Sequence, residues 1–281
     1  MNQKTVLITG ASSGFGKLAA LKFQQSGWNV VATMRSPERE TDLTQLENVV
    51  VTRLDVTEPA SIEVAVKLTI TTFGTIDVLV NNAGYGGHSL FEQATDENIR
   101  AMFETNVFGV MNVSRAVLPF MRQQKSGCII NVTSMAGMLA APTISIYAST
   151  KHAVQGLTEG MAFDYKPFNI RVKSVLPGAY PTTRFNANTS DILKAGDAEL
   201  VAHAEKLHTH LQDVAQKMAN QGGQVADPQE VADKIFECAT QDTPINNPVG
   251  SDAEMLAGMI AKADSRQAFI DQVTPLLMPP V

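Results

Sequence analysis

The strongest restriction on the fold of this chain is a rhythm, in which short β-branched runs alternate with longer stretches of helical periodicity. The runs are KTVLIT (4–9), WNVVATM (28–34), VVVTRLD (49–55), DVLVNN (77–82), GCIINVT (127–133) and IRVKSVL (170–176). Helical patterns cover 15–26, 38–46, 58–73, 96–124 and 145–165 between them. Strands that are apolar throughout, rather than at alternate positions, are buried on both faces, and helical connections between them call for parallel neighbours. The rhythm predicts a Rossmann-type, doubly wound α/β fold, a mainly parallel sheet with helices on both faces. At about 150 residues per domain a chain of 281 residues has room for two domains. No stretch has the composition of a linker and there is no internal repeat, so residues 1–281 are read as a single domain.

The rhythm breaks after Val175. Residues 178–195 are polar and turn-rich, 196–220 return to a helical pattern, and 178–222 are assigned to a substrate-binding lid. A helix over 228–240 opens at Asp227 as N-cap with Pro228 in the first turn. Residues 241–281 read as a C-terminal extension with a closing strand and a short Met-rich helix near 252–263.

Composition excludes several classes. With 44% apolar and 18% charged residues the chain is not disordered. A net charge of −6 with no basic cluster argues against nucleic-acid partners. Cys128 and Cys238 sit in apolar runs without a CxxC pair, and read as buried, reduced packing residues. His203, His208 and His210 lie on what reads as an exposed helix without a spaced carboxylate, so no metal is expected. The N-terminus has no long apolar stretch of the signal-peptide kind, and no apolar run approaches the roughly 18 residues of a membrane helix. A soluble cytoplasmic protein without a membrane partner is expected.

After the first run come Thr9-Gly10-Ala11-Ser12-Ser13-Gly14-Phe15-Gly16 and a helical pattern. A strand, a glycine turn and a helix N-terminus bring backbone N–H groups together, and the missing Cβ atoms let a pyrophosphate approach. Gly10, Ser12, Ser13, Gly14, Phe15 and Gly16 are therefore candidates for dinucleotide binding. The same residues match the G-x-S-x-G nucleophile elbow of serine hydrolases through Ser12. That rival needs an earlier strand and loop for its oxyanion hole, and too little chain precedes Ser12 to provide them.

An acid at the end of the second strand suits the ribose 2′-OH of NAD, whereas a cation suits the 2′-phosphate of NADP. Here the strand ends Ala32-Thr33-Met34-Arg35, with Arg39 a turn further on and Glu38 and Glu40 diluting the charge. NADP(H) is the expected cofactor and NAD(H) the alternative.

Tyr147 and Lys151 stand four residues apart, on one face of a helix. Bringing a phenol from a pKa of about 10 to near 7 takes roughly 4 kcal/mol of selective phenolate stabilisation. A neighbouring ammonium, assisted by an oxidised nicotinamide, is a source of that field. Ser134 follows the fifth run, Asn81-Asn82-Ala83-Gly84 close the fourth and Pro177-Gly178 the sixth, so all meet at the carboxyl edge of one sheet, where open α/β sheets bind ligands.

Together TGASSGFG, NNAG, Asn106 in TNVFG, Ser134, YASTK and the Pro-Gly turn resemble the short-chain dehydrogenase/reductase family, over about residues 4–182. The resemblance implies four catalytic residues, Asn106, Ser134, Tyr147 and Lys151. Tyr147 is the proton donor to a carbonyl or the base toward an alcohol. Lys151 binds the nicotinamide ribose and lowers the Tyr147 pKa, Ser134 bonds the substrate oxygen, and Asn106 holds a water linking Lys151 to solvent. It also implies that Asp55 meets the adenine edge, that Asn82, with Ala83 and Gly84 beside it, lies near the adenosine ribose, and that Thr182, beyond Pro177 and Gly178, meets the carboxamide. A homo-oligomer, dimer or tetramer, built partly on helices 96–124 and 145–165, follows from the same resemblance.

The chemistry then expected is hydride transfer between the nicotinamide and a small carbonyl or secondary alcohol substrate. Candidate pocket residues Met135, Met138, Leu139, Ile144, Tyr180 and Phe185 are apolar and favour a hydrophobic substrate. Tyr85 and His88 stand just past NNAG, either at the border of this pocket or in a plain loop role. A regulator that senses NADP(H) without chemistry is the second class of reading.

Overall fold

The structure, a computed structural model, describes residues 3–180, 192–222 and 226–280. Seven strands form one parallel sheet: β1 (Thr5–Thr9), β2 (Asn29–Met34), β3 (Val49–Arg53), β4 (Val78–Asn81), β5 (Gly127–Val132), β6 (Ile170–Pro177) and β7 (Asn246–Val249). Their order is β3-β2-β1-β4-β5-β6-β7. The chain winds outward from β1 to β3, then returns to place β4 on the other side of β1. This reversal between β1 and β4 opens the crevice at the carboxyl edge in which such sheets take their ligands.

Helices α1 (Gly14–Gln25) and α7 (Gln229–Thr240) cover one face, with α2 (Pro59–Phe73), α4 (Gly109–Gln124) and α5 (Ser145–Asp164) on the other. Alternation along β1 serves both layers, because Val6 and Ile8 pack with Phe23 and Ile235 while Leu7 packs with Ile62 and Val117. All residues of β1, β2 and β4 are buried, which is the physical content of their unbroken apolar runs.

Two helices expected from the sequence take other forms. Residues 38–46 make two 3-10 turns, Pro37–Arg39 and Leu43–Gln45, instead of a helix. Glu40 explains the break: its carboxylate accepts from the N–H groups of Asp42 and Leu43, at 2.9 and 3.0 Å, and turns the chain there. The single helix expected over 96–124 is α3 (Asp96–Phe103), a π-turn over Glu104–Phe108, and then α4. Such a turn widens the helix by one residue and is a common device at functional sites; Asn106 lies within it.

Past the sheet, α6 (Ala198–Gly222) belongs to the region assigned to the lid, and α8 (Ser251–Lys262) matches the Met-rich helix. A further helix, α9 (Arg266–Leu277), is absent from the sequence reading and has Pro275 inside it. At the start of α7 the capping group is the Asp227 side chain, accepting from the Gln229 N–H at 2.9 Å.

Candidate active site

The glycine turn is built by close approach. Gly10 and Gly14 have φ of +68° and +54°, the left-handed region that glycine occupies without strain. A Cβ on Gly16 would overlap the Gly10 carbonyl, and one on Gly10 would lie 2.9 Å from Ala83 Cα. The Asn82 side chain donates to the carbonyls of Thr9 and Gly10, both at 3.0 Å. In return, the Thr9 hydroxyl accepts from the N–H groups of Asn82 and Ala83, both at 3.0 Å. The NNAG segment thus braces the turn, and the Asn82 amide, expected near a ribose, is occupied by backbone.

On its outer side the turn is open, since a Cβ at Gly14 would meet nothing within 4 Å. Ser12 and Ser13 are exposed, Ser13 makes no side-chain cap, and the first turn of α1 holds no acid. A helix N-terminus with uncapped N–H groups and no competing carboxylate suits a pyrophosphate, so the residues present fit a dinucleotide. No histidine hydrogen-bonds Ser12 among the described residues, which leaves the hydrolase reading without a base.

At the end of β2 the charges sort themselves. Arg35 is exposed and in no ion pair among the described residues. Glu40 is buried and paired with Lys17 at 3.0 Å, and Lys17 also meets Asp42 at 2.6 Å. Burial raises the Glu40 pKa, but backbone bonds from Leu43 and Asp42 and the Lys17 ammonium outweigh it and hold the carboxyl below its usual range. Glu38 is exposed, 3.9 Å from Arg39. Asp55 accepts from the Thr57 N–H and hydroxyl, at 2.9 and 2.8 Å. Those bonds and the nearby Arg35 lower its pKa against the opposing effect of burial.

The catalytic candidates converge on α5. Tyr147, the third residue of α5, is buried against Ala136, Ile144 and Met102, with the Ser134 hydroxyl near enough to act on its pKa. Ser134 follows β5 and caps a 3-10 turn by accepting from the Ala136 N–H at 3.1 Å. Lys151, one turn beyond Tyr147, lies 5.6 Å from the centre of the phenol ring and donates to the Val132 carbonyl at 3.0 Å. Asn106 accepts from the Tyr85 N–H at 3.0 Å and donates to the Tyr85 carbonyl at 2.8 Å and the Thr150 hydroxyl at 3.2 Å. Its Oδ1 and the Lys151 ammonium are the neighbours that a Cβ on Gly84 would meet, at 3.0 and 3.9 Å, so the two side chains flank one backbone position.

Burial dominates the electrostatics of Tyr147 and Lys151 in the chain alone. Burial pushes the Tyr147 phenol up to about 12, against the lowering effect of the Ser134 hydroxyl. Burial also pulls Lys151 down to about 8. Removing both groups from water disfavours the charged form of each.

On the substrate side, Met135, Leu139 and Ile144 are half-buried along the loop between Ser134 and Tyr147. Thr182 and Phe185 lie outside the described residues. Tyr180, expected in the pocket, belongs instead to the core beside α1 and α7, its ring edge-on to Phe15 at 5.2 Å. Sequence reasoning missed the clamp on this loop. Thr143 has φ +64°, costly for a β-branched residue, and its hydroxyl bonds His88 Nδ1 at 2.9 Å while its carbonyl accepts from Ser89 N–H at 2.7 Å. His208 of α6, read from the sequence as exposed, is half-buried edge-on to His88 at 5.1 Å. A groove of about 300 Å³ runs between Leu139–Pro142 and α9, lined there by Ile270, Val273 and Leu277. Among the described residues no group of three His, Cys, Asp or Glu is placed to hold a metal ion, and no helix is long and apolar enough to cross a membrane.

The fold matches that of known proteins. The family model for short chain dehydrogenases matches residues 4–193. The chain belongs to the short-chain dehydrogenase/reductase family and is an oxidoreductase of that family. It is 38% identical over 250 residues to the uncharacterized oxidoreductase YusZ of Bacillus subtilis (strain 168), covering 86% of each chain. Among solved structures, a short-chain dehydrogenase from Streptomyces avermitilis superposes with a TM-score of 0.79 at 33% identity, over 98% of this chain and 97% of that one. ElxO with NADP bound gives a TM-score of 0.71 at 26% identity, over 90% of this chain and 99% of that one.

Proposed function

We propose that the chain is an NADP(H)-dependent oxidoreductase that interconverts a carbonyl and a secondary alcohol on a small hydrophobic substrate. The observation that carries the reading is the buried Tyr147 phenol with the Lys151 ammonium 5.6 Å from the centre of its ring and Ser134 beside it, at the same sheet edge as the open glycine turn. The nicotinamide, when bound, supplies or accepts the hydride. In the reducing direction Tyr147 donates its phenolic proton to the carbonyl oxygen, and Ser134 donates a hydrogen bond to the same oxygen. Lys151 holds the nicotinamide ribose, and Asn106 holds the water through which protons are resupplied. A phenol raised by burial is protonated at neutral pH, as a donor must be.

NADP(H) over NAD(H) is supported by Arg35, which has no ion pair among the described residues, and by the withdrawal of Glu40 into its contact with Lys17. The NADP held by ElxO points the same way. An apolar substrate is supported by Met135, Leu139 and Ile144 and by the groove against α9. The reading includes a cytoplasmic location and a homo-oligomer; Phe108 and Phe163, 47% and 72% exposed within 96–124 and 145–165, are apolar surface that an oligomer would cover.

Tyr147→Phe tests the core of the proposal. The variant is expected to bind NADPH and to lose ketone-dependent NADPH oxidation by about 10²-fold or more. Retained turnover would overturn the role of Tyr147, whereas tight NADPH binding with no turnover on any ketone by the unaltered protein would favour the sensing regulator.

A further inference from the structure

The edge of the sheet next to the catalytic serine is held by a residue of the C-terminal extension. β6 ends at Pro177, which pairs in register with Val249 of β7, and the Gly178 N–H donates to the Val249 carbonyl at 2.9 Å. The chain leaving β7 then turns through Gly250, at φ +95°, a conformation that glycine permits. Asp252, in the first turn of α8, is thereby aimed back at the end of β6. Its Oδ2 accepts from the Ala179 N–H at 2.7 Å, while its Oδ1 accepts from its neighbour Ala253 N–H at 2.8 Å.

One carboxylate thus joins two separate segments. Any side chain on Gly178 would overlap it, so Asp252 requires the glycine. The next residue, Tyr180, carries the constraint onward, because its ring meets Phe15 of the glycine turn. The turn Pro177–Gly178–Ala179 follows β6, the neighbour of β5, and Ser134 lies just past the end of β5. It is therefore beside the reacting end of the site, and β4, β5 and β1 separate it from β2 and Arg35.

We infer that Asp252 is a positioning residue for the nicotinamide half of the cofactor, fixing the Pro177–Ala179 turn through the Ala179 N–H. The inference rests on the NADP(H) reading above. Charged acceptors make the stronger class of hydrogen bond, and a bond of this kind at a turn fixes the backbone that faces the ligand. Asp252 lies outside the residues matched by the family model, which end at 193.

The test compares two ligands on the full chain by calorimetry: NADPH, and 2′-phospho-ADP-ribose, which lacks the nicotinamide. Asp252→Ala is expected to weaken NADPH about tenfold and the fragment less than about twofold. Asp252→Asn, of the same size and with one oxygen left for Ala179, is expected to weaken NADPH about threefold and to leave the fragment unchanged. It replaces the alanine variant should that chain not fold. Equal weakening of both ligands, or of neither, overturns the inference. If the unaltered protein binds the fragment but gains nothing from the nicotinamide, the inference falls while the 2′-phosphate site stands. If it binds neither, the NADP(H) reading itself fails.

Discussion

The Lys151 ammonium lies 5.6 Å from the centre of the Tyr147 ring, yet its hydrogen bond goes to the Val132 carbonyl rather than to the phenol. Burial therefore acts on the two groups in opposite senses, leaving the phenol at about 12 and the ammonium at about 8. As pH rises from 6 to 10, Tyr147 stays protonated while Lys151 loses its charge. In the reducing direction kcat/KM for NADPH should be level below about 8 and fall about tenfold per unit above it, because this parameter reports the free protein. The profile is read from NADPH absorbance at fixed ketone. A level line to pH 10 would show that Lys151 does not titrate there.

Arg35 has no ion pair among the described residues, and Glu40 is turned away from it. Arg35→Ala should lower the preference for NADPH over NADH by about tenfold to a hundredfold, the worth of a charge-assisted bond. The ratio of the two kcat/KM values measures it. An unchanged ratio would remove the argument for the 2′-phosphate.

Two glycines of the same turn should respond differently to alanine. At Gly16 the Cβ overlaps the Gly10 carbonyl, so the turn itself must shift. At Gly14 the space is open, and the cost is that of placing a side chain at φ +54°, about 1–2 kcal/mol. Gly14→Ala should lower Tm modestly, while Gly16→Ala lowers Tm further and raises the Kd for NADPH as well. Equal behaviour of the two in both measurements would contradict the packing described.

Cys128 is buried and its thiol is pushed up to about 11, and burial raises Cys238 as well. Each thiol is neutral in the folded chain, so stability declines as pH rises past the unfolded thiol value of about 8.5. Ellman's reagent at pH 8 should label neither until a denaturant unfolds the protein. Rapid labelling of the native chain would refute the burial.

Phe163 is a large apolar ring 72% exposed on α5, a helix the oligomer proposal uses. Phe163→Asp should shift the sedimentation coefficient toward the monomer. A wild-type protein already monomeric at micromolar concentration would end the oligomer proposal.

The sheet was legible because an all-apolar strand period reports burial on both faces, and the local spacing of Tyr147 and Lys151 needs only a helix to place them on one side. The loss of the helix over 38–46 was not legible. The Glu40 carboxylate that accepts from the Asp42 and Leu43 N–H groups is also held by Lys17, 23 positions away, and nothing in the local pattern names that partner. The same holds for Asn82, whose amide bonds the glycine turn 72 and 73 positions earlier. It holds again for Tyr180, which reads as pocket by its position but is drawn into the core by Phe15 and the helices around it.

By itself the sequence determined the parallel sheet, the glycine turn and the identity of the groups at its carboxyl edge, since periodicity and short spacings fix which face each residue presents. Only the tertiary structure decided which of those groups are occupied by backbone, which are left open, and which way burial moves the Tyr147 and Lys151 protons. Those outcomes depend on partners brought together from distant parts of the chain and on the removal of water between them, and neither is written in a local pattern.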